Sequence, residues 1–80
     1  MTLTIRLDRE EDGRWIAIID ALPGVTLYGP TPDAAIEAVK ALALEVLADG
    51  ITSGERPGLT QIDFVLPRAE AAFAAGDRAR

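Results

Sequence analysis

The chain contains no cysteine and no histidine among its 80 residues. The first absence excludes a disulfide framework and removes any sign of an oxidising compartment. Together the two leave zinc only an all-carboxylate site, which zinc seldom uses. They also remove the commonest general base and every Ser-His or Cys-His pairing, so the sequence does not read as an enzyme. Aromatic residues are scarce, with one tryptophan, one tyrosine and two phenylalanines. Long apolar runs are missing as well. The richest stretch, 34–48, is broken by Glu37, Lys40 and Glu45, which makes it too short and too charged to cross a bilayer. No basic segment followed by an apolar one opens the sequence, so no signal peptide is expected and a cytoplasmic protein is the default reading.

What the chain has in excess is negative charge. Its formal net charge is -5. An acidic surface repels nucleic acid and suits a basic partner, although it also serves solubility alone. The arginines are scattered and form no basic stripe of the kind nucleic acids require. Eighty residues make one domain near the lower limit for an unstapled core.

Leu3, Ile5 and Leu7 alternate with Thr4 and Arg6, the period-2 pattern of a half-buried strand. Asp12-Gly13 then signals a hairpin into a second strand at 14–19. In that strand Trp15, Ala17 and Ile19 share one face, and Arg14, Ile16 and Ile18 share the other. Two partly apolar faces imply a central strand, or one whose second face meets another subunit. Leu22-Pro23-Gly24 is a turn, and 25–28 is a short third strand stopped by Gly29-Pro30.

Thr31 as N-cap, Pro32 at the first helical position and Asp33 in the first turn open a helix expected over 32–49, with Gly50 as its stop. Its buried stripe is Ala35, Ile36, Val39, Leu42, Ala43, Val46 and Leu47. The following 51–58 reads as a loop, and 61–66 alternates again as a fourth strand with Ile62, Phe64 and Leu66 on one face. The expected fold is therefore α+β: a three-stranded antiparallel sheet plus a fourth strand, with one long helix packed on one face. Residues 1–66 form the domain, and 67–80 are expected to hold a short helix over 68–75 and a fraying tail.

Candidate chemistry is thin. Asp8, Glu10, Glu11 and Asp12 cluster around the first hairpin, but the spacing lacks the register of a calcium loop. A solvated turn, or a contact for a basic partner, accounts for it. Trp15 and Tyr28 serve either as core or as binding anchors. The glycines match no phosphate-binding pattern. Asp20, Asp33 and Glu37 each have a local explanation at a turn or helix start, so a two-metal carboxylate cluster is not expected.

The order of these pieces resembles the HicB antitoxin family, whose small domains adopt a partial ribonuclease H-like fold. The residues that carry the likeness are Asp12-Gly13-Arg14-Trp15, Leu22-Pro23-Gly24-Val25, Tyr28-Gly29 and Thr31-Pro32-Asp33-Ala34-Ala35-Ile36, then Ala38 and Ala41-Leu42. The likeness runs from Ile5 to Ala48, a little over half of the chain. Asp20 departs from the proline usual in that family, and the pair before Ala35 is less acidic than usual. The fourteen residues after Leu66 are too few for the helix-turn-helix that many members use on operator DNA.

The resemblance implies an antitoxin that neutralises a small basic HicA-type mRNA endoribonuclease by covering its surface, without cofactor or metal. Contact residues would come from Glu10, Glu11, Asp12 and Arg14 and from the rim at Tyr28. A homo-oligomer is expected, because association can bury what the second strand exposes. The competing expectation is a stand-alone oligomeric binding domain with a different protein or small-ligand partner.

Overall fold

The computed structural model describes residues 1–67. The expected short helix over 68–75 lies outside the described residues. The elements run β1 (Thr2–Thr4), β2 (Arg6–Arg9), β3 (Trp15–Ile18), β4 (Thr26–Gly29), α1 (Pro32–Ser53) and β5 (Asp63–Val65). The fold is α+β: β2, β3 and β4 form an antiparallel sheet in that order, and β5 pairs in parallel with β1.

The single first strand of the sequence reading is divided at Ile5, where the pairing changes hands. The Ile5 amide donates to Val65 O at 2.9 Å, while Arg6 pairs with Ile18. Successive amides of an extended chain point to opposite edges, so β5 and β3 flank this run from its two sides. Side-chain alternation passes through the break intact. Leu3 and Ile5 are fully buried and Leu7 packs against the same core.

Both turns form as their residues require. Gly13 (φ +93°) closes the β2–β3 hairpin, in which Glu10 and Gly13 donate backbone bonds to Arg14 and Glu10. Gly24 (φ +81°) sits third in the 22–25 turn, where a left-handed residue is needed after proline.

Helix α1 starts as read. Thr31 is extended, its hydroxyl accepts from the Ala34 amide at 3.1 Å, and Pro32 follows. Such a cap contributes about 1 kcal/mol. The end differs from the expectation. The helix continues through Gly50 to Ser53, and Gly54 (φ +85°) is the left-handed cap. The Gly54 amide donates to Ile51 O, and the Glu55 and Arg56 amides donate to Gly50 O. Gly50 is buried under the Arg56 stem, whose Cδ would lie 3.1 Å from an added Cβ. Its glycine therefore serves packing, and the start of the expected 51–58 loop is helical.

The core lies between α1 and one face of the strands. Ala35, Ile36, Val39, Ala43 and Leu47 meet Leu3, Ile5, Ala17, Ile19, Leu22 and Val25. Phe64 and Ile62 pack on this cluster, as does Trp15, but Leu66 is exposed, against the expectation that it shares their face. Gly29 is buried where α1 begins: a Cβ there would stand 2.5 Å from Ala35 N and 2.9 Å from Ala35 Cα. The helix can approach β4 this closely only over a residue without a side chain.

Candidate functional site

Because α1 covers one face of the sheet, the other face is open among the described residues. Strand alternation assigns it Arg6 and Asp8 from β2, Ile16 and Ile18 from β3, and Thr26 and Tyr28 from β4. The register aligns Asp8, Ile16 and Tyr28 in one row, and Arg6, Ile18 and Thr26 in the next. The β3 strand is central, as its two apolar faces suggested, yet only its Ala17 face is buried. Ile16 and Ile18 are half-buried, and Tyr28 is 44% exposed.

At the hairpin end of this face three of the expected contact residues come together. The Asp12 carboxylate accepts from the Arg14 amide at 3.0 Å and from Arg14 Nε at 2.7 Å. The same guanidinium lies over the Tyr28 ring, 4.5 Å from its centroid, in cation–π geometry. Asp12 fixes the arginine and the arginine shields the ring. Glu11 is exposed at the tip, and Glu10 is half-buried with its backbone committed to the hairpin. Trp15 faces the core side instead, with Arg9 5.3 Å from its ring centroid. Of the two aromatics weighed as core or anchor, Trp15 is core and Tyr28 is surface.

Farther along the face, Arg6 holds Asp20 through two bonds of 3.0 and 3.1 Å and lies 3.6 Å from Asp8. Sequence reading gave Asp20 only a turn role. Its partner is fourteen positions away, a relation fixed by the β2–β3 register and invisible in local spacing.

Hydrogen bonds from Arg14, first its amide and then its guanidinium, hold the Asp12 carboxyl below the usual carboxylate range. The Arg6 side chain does the same for Asp20, and Asp20 in turn raises the Arg6 guanidinium. A lowered folded-state value stabilises the fold above the unfolded pKa and loses that effect as pH falls through the folded one. All these groups are solvent-exposed, so their effect on stability is small. Carboxyl-resolved NMR titration should find both aspartates titrating low. Arg6→Ala should return Asp20 to its ordinary range, whereas Arg14→Ala should move Asp12 only part way, because the backbone donor survives.

No group of three or more acidic residues is placed to hold a metal ion among the described residues. Asp33 lies in the first turn of α1, and Glu37 is engaged by Lys40 at 2.7 Å. A shallow pocket of about 370 Å³ lies elsewhere, lined by Met1, Glu55, Arg56, Leu59, Thr60 and Gln61 among others. No hairpin residue contributes to it. No helix among the described residues is long and apolar enough to cross a membrane. Comparison with family models, with curated proteins and with solved structures returns no match.

Proposed function

We propose that this chain is a HicB-like antitoxin that neutralises a small basic HicA-type mRNA endoribonuclease by direct contact. The observation that carries the reading is the exposed acidic hairpin, with Glu11 and Asp12 beside the Arg14–Tyr28 pair. Carboxylates on a projecting turn speed encounter with a basic, RNA-binding surface and fix its orientation. A partly shielded tyrosine beside them supplies the apolar anchor that such contacts use. The mechanism is steric and electrostatic occlusion in the cytoplasm, with no chemistry by this chain and no cofactor.

The test is co-expression with the adjacent small reading frame, scored for growth rescue and co-purification. Rescue with a stable complex is the expected result, and Glu10→Lys with Glu11→Lys should abolish both. A harmless neighbour, or two proteins that do not associate, transfers the role to a binding domain for another protein or small ligand. The half-exposed Ile16 and Ile18 on an uncovered sheet give that second reading its support.

A further inference from the structure

We propose that Asp12-Gly13 is a site of spontaneous backbone isomerisation, aspartate to isoaspartate, and that the Arg14 side chain sets its rate by holding the hairpin closed. The inference stands apart from the antitoxin reading, since it concerns the chemistry of the turn and not what binds there. Aspartate is most open to this reaction when glycine follows, because no Cβ shields the attacking amide. Gly13 N adds to Cγ of the protonated Asp12 carboxyl. The Gly13 amide proton and the Asp12 hydroxyl leave as one water, closing a five-membered succinimide. Water then adds back to one of the two ring carbonyls. Cleavage between nitrogen and Cγ restores aspartate. Cleavage between nitrogen and the main-chain carbonyl carbon of Asp12 leaves the chain running through Cγ, with a free α-carboxylate. Water is the only co-reactant, and the mass of the product equals that of the starting chain.

The folded turn holds the reacting atoms apart. The Gly13 amide donates to Glu10 O at 2.9 Å, and only glycines have positive φ among the described residues. Glu11 and Asp12 are therefore the central pair of a type I turn, in which the second of them has ψ of about 0°. Ring closure needs Cβ and the Gly13 nitrogen eclipsed about the Asp12 Cα–C bond, a rotation of about 120° away from that turn. The rotation takes the Gly13 amide off Glu10 O. It must also free the carboxyl, which accepts from the Arg14 amide at 3.0 Å and from Arg14 Nε at 2.7 Å. The guanidinium is braced in turn on the Tyr28 ring. The same bonds hold the Asp12 carboxyl below its usual range, and only the protonated carboxyl loses water. Asp12 and Arg14 are both exposed, so the clamp is weak and the reaction proceeds through the opened turn.

A second Asp-Gly pair supplies the contrast. Asp49-Gly50 lies within α1, where Gly50 is buried beneath the Arg56 stem and its carbonyl accepts from the Glu55 and Arg56 amides. Opening there means unwinding the end of the helix from the core, which is rarer than opening a hairpin tip. Asp49 is thus protected by the fold, and Asp12 by one arginine. Isoaspartate at Asp12 lengthens the main chain of the turn by one methylene and moves the carboxylate onto the α-carbon. Arg14 then loses its clamp and Tyr28 its cover.

Peptide mapping of the full chain, held at about pH 6 and 37 °C for several weeks, tests this, with an isoaspartyl methyltransferase as the labelling reagent. The folded chain should gain isoaspartate faster at Asp12 than at Asp49. Arg14→Ala should raise the rate at Asp12 about threefold, the size expected for an exposed ion pair. It should leave the rate at Asp49 and the circular dichroism spectrum unchanged. Unfolding in urea should speed both sites. Equal rates at Asp12 with and without the Arg14 side chain overturn the inference. So does an Arg14→Ala effect that reaches Asp49 equally, since that is general loosening of the fold. A folded chain in which Asp12 reacts no faster than Asp49, or as fast as in urea, overturns it as well.

Discussion

Gly29→Ala should destabilise the domain by about 3 kcal/mol, at the upper end for overpacking. The methyl group would lie 2.5 Å from Ala35 N, 2.9 Å from Ala35 Cα and 3.0 Å from Ala34 C. All three are backbone atoms in the first turns of α1, so no side chain can swing aside. The helix must lift from β4, and Thr31 and Pro32 must move with it. For a chain of this length, roughly 4–12 kcal/mol separates folded from unfolded, so the loss is a large share of the total. Urea unfolding measures it as a lower midpoint at unchanged slope. A shift below about 0.5 kcal/mol would mean that α1 does not rest on Gly29.

Leu47→Ala comes next, with an expected cost of about 3 kcal/mol for a buried leucine whose cavity does not collapse. Leu47 is 1% exposed, whereas Leu44, one turn earlier, is 47% exposed. Leu44→Ala should change stability by less than about 0.5 kcal/mol. The pair reads the rotation of the helix directly. Equal costs for the two would mean that α1 presents a different face to the sheet.

Why Leu44 sits outside explains part of what the sequence could convey. The 3–4 spacing of Ala35, Ile36, Val39, Ala43 and Leu47 was enough to orient α1, and all five are buried. Thr31-Pro32 marked the start because a cap is local chemistry. The end was ambiguous because Asp49-Gly50 and Ser53-Gly54 offer the same signal four residues apart. The deciding fact is tertiary: Arg56 folds back over Gly50. Gly29 was read as a strand stop for a similar reason, since its need for a bare backbone comes from a helix that begins three residues later.

The candidate site was legible to the same degree. Asp12-Gly13 announced the hairpin, and the acidic residues around it read as a solvated turn or as a contact for a basic partner. That Arg14 would bridge Asp12 and Tyr28 depends on the β3–β4 register, in which Tyr28 falls opposite Ile16. No local spacing relates those positions. The Arg6–Asp20 bond was missed on the same grounds. Alternation did expose the second apolar face of β3, where Ile16 and Ile18 are half-buried.

The division of the first strand at Ile5 fixes the order in which the molecule can be completed. β2, β3, β4 and α1 are neighbours in sequence and can assemble over short loops. β1 has to wait, since its partner begins at Asp63 and their bond network includes Asp63 N to Met1 O at 2.8 Å and Ile5 N to Val65 O. On a ribosome it stays single until almost the whole domain has emerged. The short two-stranded seam is expected to open before the three-stranded sheet, so hydrogen exchange at the Ile5 and Asp63 amides should outrun exchange at the β3 amides of Ile16 and Ala17. The pairing of β1 with β5 thus clasps the two ends of the described chain together.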